Sequence, residues 1–381
     1  KAFLNSLGTS EERGSLERTK EELKKAEKKL SGLPKGNMVY AAATHFKPRG
    51  NFKPTNGKPR MIKVLNRGDV TQPEDPVRPG TFPLFGDEPW EFDLPEVHDE
   101  SARRAALAEW IVRKDHPLTW RTIANRIWQW HFGAPIVGSP NDFGPLGQEP
   151  THPELLDWLA VRFRDSGGSF KKLHKLIVMS ATYRQSSLGN EDKAKVDSSN
   201  QFLWRMNRRK LSAEEIRDSV LAVSGKLNLE MGGPGYYLFA LEKTSHSPHY
   251  EYHKFNPEDA KSHRRSVYRF IVRSQPNPFM TTLDCADSSQ STPKRNETLT
   301  ALQALSLLNN KFSISMARHF ADRLNKERDS LKDQVRRGYE LLIGRAPVPE
   351  EENLLVAYAK EHGLNNLCRS LFSLSEFAFI D

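Results

Sequence analysis

The chain has 381 residues, with 57 Lys and Arg against 48 Asp and Glu, for a formal net charge of +9. Hydrophobic residues make up 37% and charged residues 28%, which excludes a disordered polar chain, and no run reaches the ~18 apolar residues of a membrane-spanning helix. Two cysteines, Cys285 and Cys368, exclude a disulfide scaffold and a cysteine-rich zinc site, and leave one disulfide between them open. No Cys-x-x-Cys-His occurs, so the chain attaches no c-type haem through that motif.

Residues 10–30 read as a charged helix. Ser10-Glu11-Glu12 supplies a cap and an acidic first turn, and Leu16, Leu23 and Leu30 recur every seven residues. A short coiled-coil arm and a solvated helix with one packed edge both fit this pattern. Residues 31–98 are punctuated by prolines from Pro34 to Pro95, each lacking an amide donor and disfavouring helix before it. Extended pieces are expected at 38–43 and 61–65. Phe46, Phe52, Phe82, Phe85, Trp90 and Phe92 are expected to anchor this segment.

From Asp99 the spacing turns helical. Helices are predicted over about 99–114, 119–131, from Thr151-His152-Pro153-Glu154 to Gly167-Gly168, and over 170–183. Ser212-Ala213-Glu214-Glu215 is a capping box that opens a helix stopping near Gly225. Residues 226–265 read as loop, and 266–273 as the best strand because they are β-branched and aromatic. Helices follow over 297–311, 312–325, 329–343, 350–362 and 365–374. The fold class is mainly α: an irregular helical domain with Pro-rich extended segments and a few short strands.

Several runs carry a family resemblance. They include Arg67-Gly68-Asp69, His116-Pro117-Leu118-Thr119, Asn125-Arg126-Ile127-Trp128, His131-Phe132-Gly133 and Asn141-Asp142-Phe143-Gly144. They continue through His152-Pro153-Glu154-Leu155-Leu156-Asp157-Trp158, Ser180-Ala181-Thr182-Tyr183-Arg184-Gln185, Leu211-Ser212-Ala213-Glu214-Glu215-Ile216-Arg217-Asp218, His263-Arg264-Arg265-Ser266 and Arg295-Asn296-Glu297-Thr298. In this order they resemble the planctomycete secreted-protein domain family of unknown function. The resemblance covers about residues 60–381 and implies a C-terminal domain of a larger exported, periplasmic or extracellular protein. It also implies an upstream cytochrome c domain, where any haem would sit, and an association with polysaccharide-degrading machinery. Residues 1–59 then read as the linker and terminal helix of a preceding domain. One departure is Gly167-Gly168-Ser169, where the family would place an aromatic after the first glycine.

Four constellations can carry chemistry. His246, His249 and His253 lie three and four residues apart and can hold a divalent metal, with Asp284 and Asp287 as further donors; hydrogen-bonding loop histidines are the alternative. Glu214 and Asp218 share a helix face as a candidate acid–base pair, against an ion network with Arg208, Arg209 and Lys210. Trp120, Asn125, Arg126, Trp128, His131, Asp142 and His152, with His116, can form a substrate site for polysaccharide: indole faces stack on sugars while polar groups bind hydroxyls or sulfates. The alternative is a buried polar network, with Asp142 or Glu154 as partners, that fixes loops 132–152. Lys294 and Arg295 beside a helix capped near Asn296 can bind an anion, or form a plain capped loop.

No nucleotide-binding glycine motif, His-Glu-x-x-His or Gly-x-Ser-x-Gly is present. The bases are dispersed, which argues against a nucleic-acid partner. Three functions follow: binding or processing an anionic polysaccharide or oligosaccharide, metal-dependent catalysis through the histidines, or docking of a redox partner such as the cytochrome c domain of the same parent protein.

Overall fold

The computed structural model describes residues 9–33, 46–83, 90–244 and 247–380. Thirteen α-helices, and six short strands in three two-stranded sheets, are found among them, so the fold is mainly α. The chain divides into two compact units, Lys1–Trp110 and Ile111–Asp381.

In the first unit, α1 (Ser10–Ser31) starts at a capping box made by Thr9 and Glu12, one residue before the expected cap. Leu16, Leu23 and Leu30 are 49%, 58% and 71% exposed, so the seven-residue stripe has no packed edge. β1 (Ile62–Leu65) pairs antiparallel with β2 (Pro73–Val77), and α2 spans Glu100–Ile111. The expected aromatic anchors are largely solvated: Phe46, Phe52, Phe82 and Trp90 are exposed, and Phe92 is half-buried. The extended piece at 38–43, Pro34 and Phe85 lie outside the described residues.

The second unit has two apolar cores. In one, α3 (Pro117–Phe132), α4 (Pro153–Asp165) and α5 (Phe170–Val178) bring their apolar stripes together. Ile127, Phe132, Leu159, Phe163 and Ile177 are at most 2% exposed. Burying each such side chain contributes about 2 kcal/mol. The start of α3 is set by His116, whose Nδ1 accepts from the Leu118 and Thr119 amides, with Pro117 supplying the helical φ. Its end is Gly133 at φ 75°, a left-handed cap that a side chain would strain. Within α3, the fully buried Asn125 donates from Nδ2 to Val137 O at 3.1 Å and accepts from Val137 N at 2.9 Å. One side chain thus replaces a strand partner for the loop after α3. Its partner is loop backbone rather than Asp142 or Glu154.

A connection containing α6 (Glu191–Val196) leads to β3 (Arg209–Lys210) and then α7 (Ala213–Val223), which opens on the expected Ser212–Glu215 capping box. The hairpin β4 (Ala240–Lys243) and β5 (Pro248–Glu251) lies in the segment expected to be loop. Next come α8 (Pro278–Thr282), α9 (Ala301–Asn309), α10 (Lys311–Glu327), α11 (Leu331–Ile343), α12 (Pro349–His362) and α13 (Leu364–Leu371). Ile216 and Val220 of α7, Met316 and Phe320 of α10, and Leu367 and Phe372 form the centre of the second core. β6 (Phe379–Ile380) pairs antiparallel with β3.

Two local expectations are corrected. Residues 266–273 form no extended strand; Arg269 alone makes an isolated parallel bridge, with Tyr236. Ser266–Tyr268 is a 3-10 turn, because the Ser266 amide donates to the Asp218 carboxylate and not to a neighbouring strand. The helix expected from 297 begins at Ala301 under a Thr300 cap, because Thr298 N and Oγ1 donate to Asp284 and hold that segment off the helix.

Two outcomes follow. Asn125→Leu leaves both Val137 groups buried without partners, and urea unfolding is expected to show a loss of about 3 kcal/mol; a loss below about 1 kcal/mol would rule the clamp out as a structural determinant. On α12, bonds from Arg345 first, and from the Val348 amide, hold the Glu351 carboxyl at about 2. A depressed carboxyl contributes stability that is complete above its ordinary value and is lost as pH falls through about 2. The stability difference between wild type and Arg345→Ala is therefore expected to shrink between about pH 5 and pH 3; a constant difference would contradict this.

Candidate functional site

A cavity of about 360 Å³ opens where three segments of the second unit meet. α3 contributes Arg126, Gln129 and Trp130. The β3–α7 junction contributes Arg209, Lys210 and Glu215. Residues 283–297 contribute Asp284, Lys294, Arg295 and Glu297. Five basic side chains face three acidic ones.

Most of these charges are fixed by partners. Arg209 forms two 2.9 Å bonds with Glu215, which also accepts from the Ser212 amide at 2.7 Å. Lys210 is only 4% exposed and donates to Asp284 at 2.7 Å, Thr298 O at 2.5 Å and Gln303 Oε1 at 3.2 Å. Asp284 has φ 65°, a conformation costly for a residue with a Cβ, and it is held by donors from Lys210, Thr298 and Gln303. Burial pushes the Asp284 carboxyl up, and those donors more than reverse this, so it sits below the usual carboxylate range. Arg295 bonds Glu214 at 2.5 Å behind the cavity wall. Arg126 and Lys294 are different: no carboxylate among the described residues pairs with either. Arg126 donates instead to Asn141 Oδ1 and to Pro293 O, the latter at 3.2 Å. Trp130 is 58% exposed and leaves an indole at the cavity. The arrangement is a positive concavity with two unneutralised cations and an aromatic face.

Of the substrate-site residues read from the sequence, Arg126 alone lines this cavity. Trp120 donates to Arg113 O at 2.9 Å and packs its edge on Phe163. Trp128 is 8% exposed and stacks on Phe132. His131 bonds His174 at 2.8 Å, and burial first, then His174 and Arg209, push it below the ordinary histidine range. Asp142 accepts from the Gly144 amide at 2.9 Å, and His152 bonds Thr151 at 2.9 Å.

Glu214 and Asp218 share a face of α7 but belong to separate networks. Glu214 takes Arg295 and the Cys285 thiol at 3.4 Å, with Arg269 at 3.8 Å. Asp218 accepts from Ser266 N at 2.8 Å and Oγ at 2.7 Å. The expected partners Arg209 and Lys210 go to Glu215 and Asp284. Burial raises Glu214, and Arg295 outweighs it, leaving the carboxyl below its usual range. Burial, then Glu214, push the Cys285 thiol up. Cys285 and Cys368 are both free thiols.

His249 lies on β5, and His253, in a 3-10 turn, meets Glu251 at 3.2 Å; both are exposed, and His246 lies outside the described residues. His263 is buried against Pro257 O at 2.8 Å. Asp284 is taken by Lys210, and Asp287 accepts from Ser289. No group of three His, Cys, Asp or Glu able to hold a metal occurs among the described residues. Lys294 and Arg295 lie ahead of α9 by several residues, so its N-terminus is not their neighbour in sequence, and they face the cavity instead.

Fold and site together define a helical class of domain with a basic surface cavity; no described helix is long and apolar enough to cross a membrane. The chain belongs to the family described as PSD1, Protein of unknown function (DUF1553), whose profile matches residues 103–359. No curated protein and no solved structure matches it.

The Lys210–Asp284 pair gives a direct test of how the cavity floor is held. Asp284→Ala leaves a buried ammonium without its carboxylate and is expected to cost about 3–5 kcal/mol in urea unfolding. Lys210→Met is expected to cost less, since Thr298 and Gln303 still bind Asp284. The reverse order would show that the lysine is not a buried cation.

Proposed function

We propose that this domain binds an anionic saccharide in the cavity between α3 and the β3–α7 junction. One observation carries the reading: Arg126 and Lys294 face the cavity without carboxylate partners, beside the exposed indole of Trp130. Guanidinium and ammonium groups match sulfate or carboxylate oxygens, and an indole face packs against the C–H face of a sugar ring. The net charge of +9 favours the approach of a polyanionic chain at low ionic strength. The family resemblance supports the setting: an exported protein with a cytochrome c domain, acting beside polysaccharide-degrading enzymes. The domain then serves as the part that holds the polymer.

Calorimetry of the chain against sulfated, carboxylated and neutral oligosaccharides of equal length tests this. Anionic members are expected to bind in a salt-dependent manner and neutral members weakly. Arg126→Ala with Lys294→Ala is expected to weaken binding by about tenfold or more, and Trp130→Ala by several-fold. Absence of binding across the anionic panel, or full affinity in the Arg126/Lys294 variant, would overturn the reading.

A further inference from the structure

A second cavity, of about 380 Å³, lies in the same unit. Its walls are aromatic: Tyr252, Phe255, Phe279 and Phe312 line it together with Leu238. Among the described residues no aspartate or glutamate lines it, whereas Arg217, His253 and Lys311 do. We infer that this cavity binds a small apolar anion, an aromatic ring system bearing one carboxylate or sulfonate.

The positive character has three independent sources. Arg217 is 1% exposed at its side chain and lies 5.2 Å from the Phe312 ring centroid and 5.3 Å from that of Tyr236. Its hydrogen-bond partners are neutral: Arg264 O and Ser266 Oγ at 3.2 Å, and Ser262 O at 2.5 Å. The adjacent Asp218 is 3.5 Å away and is also engaged by Ser266, so a charge in low dielectric is only partly neutralised. Lys311 at the rim donates to His253 O at 3.1 Å and has no carboxylate partner among the described residues. Finally, α10 begins here: Asn310, Lys311 and Phe312 are its cap and first two residues, so the positive end of a long helix faces the same space.

The polar rim includes two side-chain amides. Asn277 and Asn310 use their Oδ1 atoms to accept from Met280 N and Phe312 N. Neither Nδ2 has a hydrogen-bond partner among the described residues. An occupant therefore has an apolar body that replaces water against the aromatic walls and an anionic group that meets Lys311 and these amides. A volume of this size suits a ligand of one or two rings.

Titration of the intact chain with 2-naphthoate, followed by calorimetry and ligand fluorescence, tests the inference, with neutral 2-naphthol as control. Saturable one-to-one binding of 2-naphthoate is expected. Lys311→Glu, on an exposed position, is expected to weaken naphthoate by about tenfold while altering 2-naphthol by less than about twofold. Leu238→Trp, which fills the cavity, is expected to abolish binding of both; its fold is checked by circular dichroism, and the Lys311 result stands without it. Diffraction from crystals with 6-bromo-2-naphthoate is expected to place the bromine inside this cavity, against the aromatic wall that Phe279 and Phe312 form. No saturation by about 1 mM naphthoate, equal loss of both ligands in Lys311→Glu, or a bromine elsewhere would overturn it.

Discussion

A lysine ammonium enters the interior of this protein at Lys210, and the surrounding structure is organised to hold it. The Asp284 carboxylate meets it from a backbone conformation that residues with a Cβ avoid, and that strain is sustained because Thr298 and Gln303 bind the same carboxylate. These bonds join β3, the segment after α8 and the start of α9. They also delay α9 until Ala301 and turn residues 292–297 towards α3, where Arg126 and Gln129 meet Pro293 O. The basic cavity is the space left by this arrangement. A buried ion pair of this kind is a weak source of net stability but a strong constraint on geometry, since each partner is costly without the other.

The two cavities differ in how they are made. The first is rimmed by charges that are mostly paired, leaving Arg126 and Lys294 to act on an occupant. The second has aromatic walls and owes its positive character to a guanidinium packed between rings. A polymer with spaced charges suits the former and a compact apolar anion the latter, so the two need not compete.

Much of the local structure was legible in the sequence. Ser212 and Glu215 opened α7 as a capping box, and Pro153 stood at the first position of α4. Such signals act within a few residues, where side chain and backbone are neighbours whatever the tertiary fold. The histidine cap of α3 and the Asn125 clamp used residues that were singled out, but with partners no spacing rule could supply. The cavity itself was not legible. Its charges come from positions 126, 209–215 and 284–297, and a run such as Arg208–Lys210 gives no sign of which carboxylate each will meet. The strand expected at 266–273 failed for a related reason: its residues have β-propensity, but Asp218 claims the Ser266 amide.

The pairing of β3 with β6 has a consequence for the order of events during folding. Joining Arg209 and Lys210 to Phe379 and Ile380 closes a loop of about 170 residues. Loop-closure entropy favours forming that contact after the helical hairpins within it. Arg209 and Lys210 also line the basic cavity, so the cavity reaches its final shape only when the whole α7–α13 half is in place. Ligand binding there would thus report completion of the fold rather than the presence of any one helix.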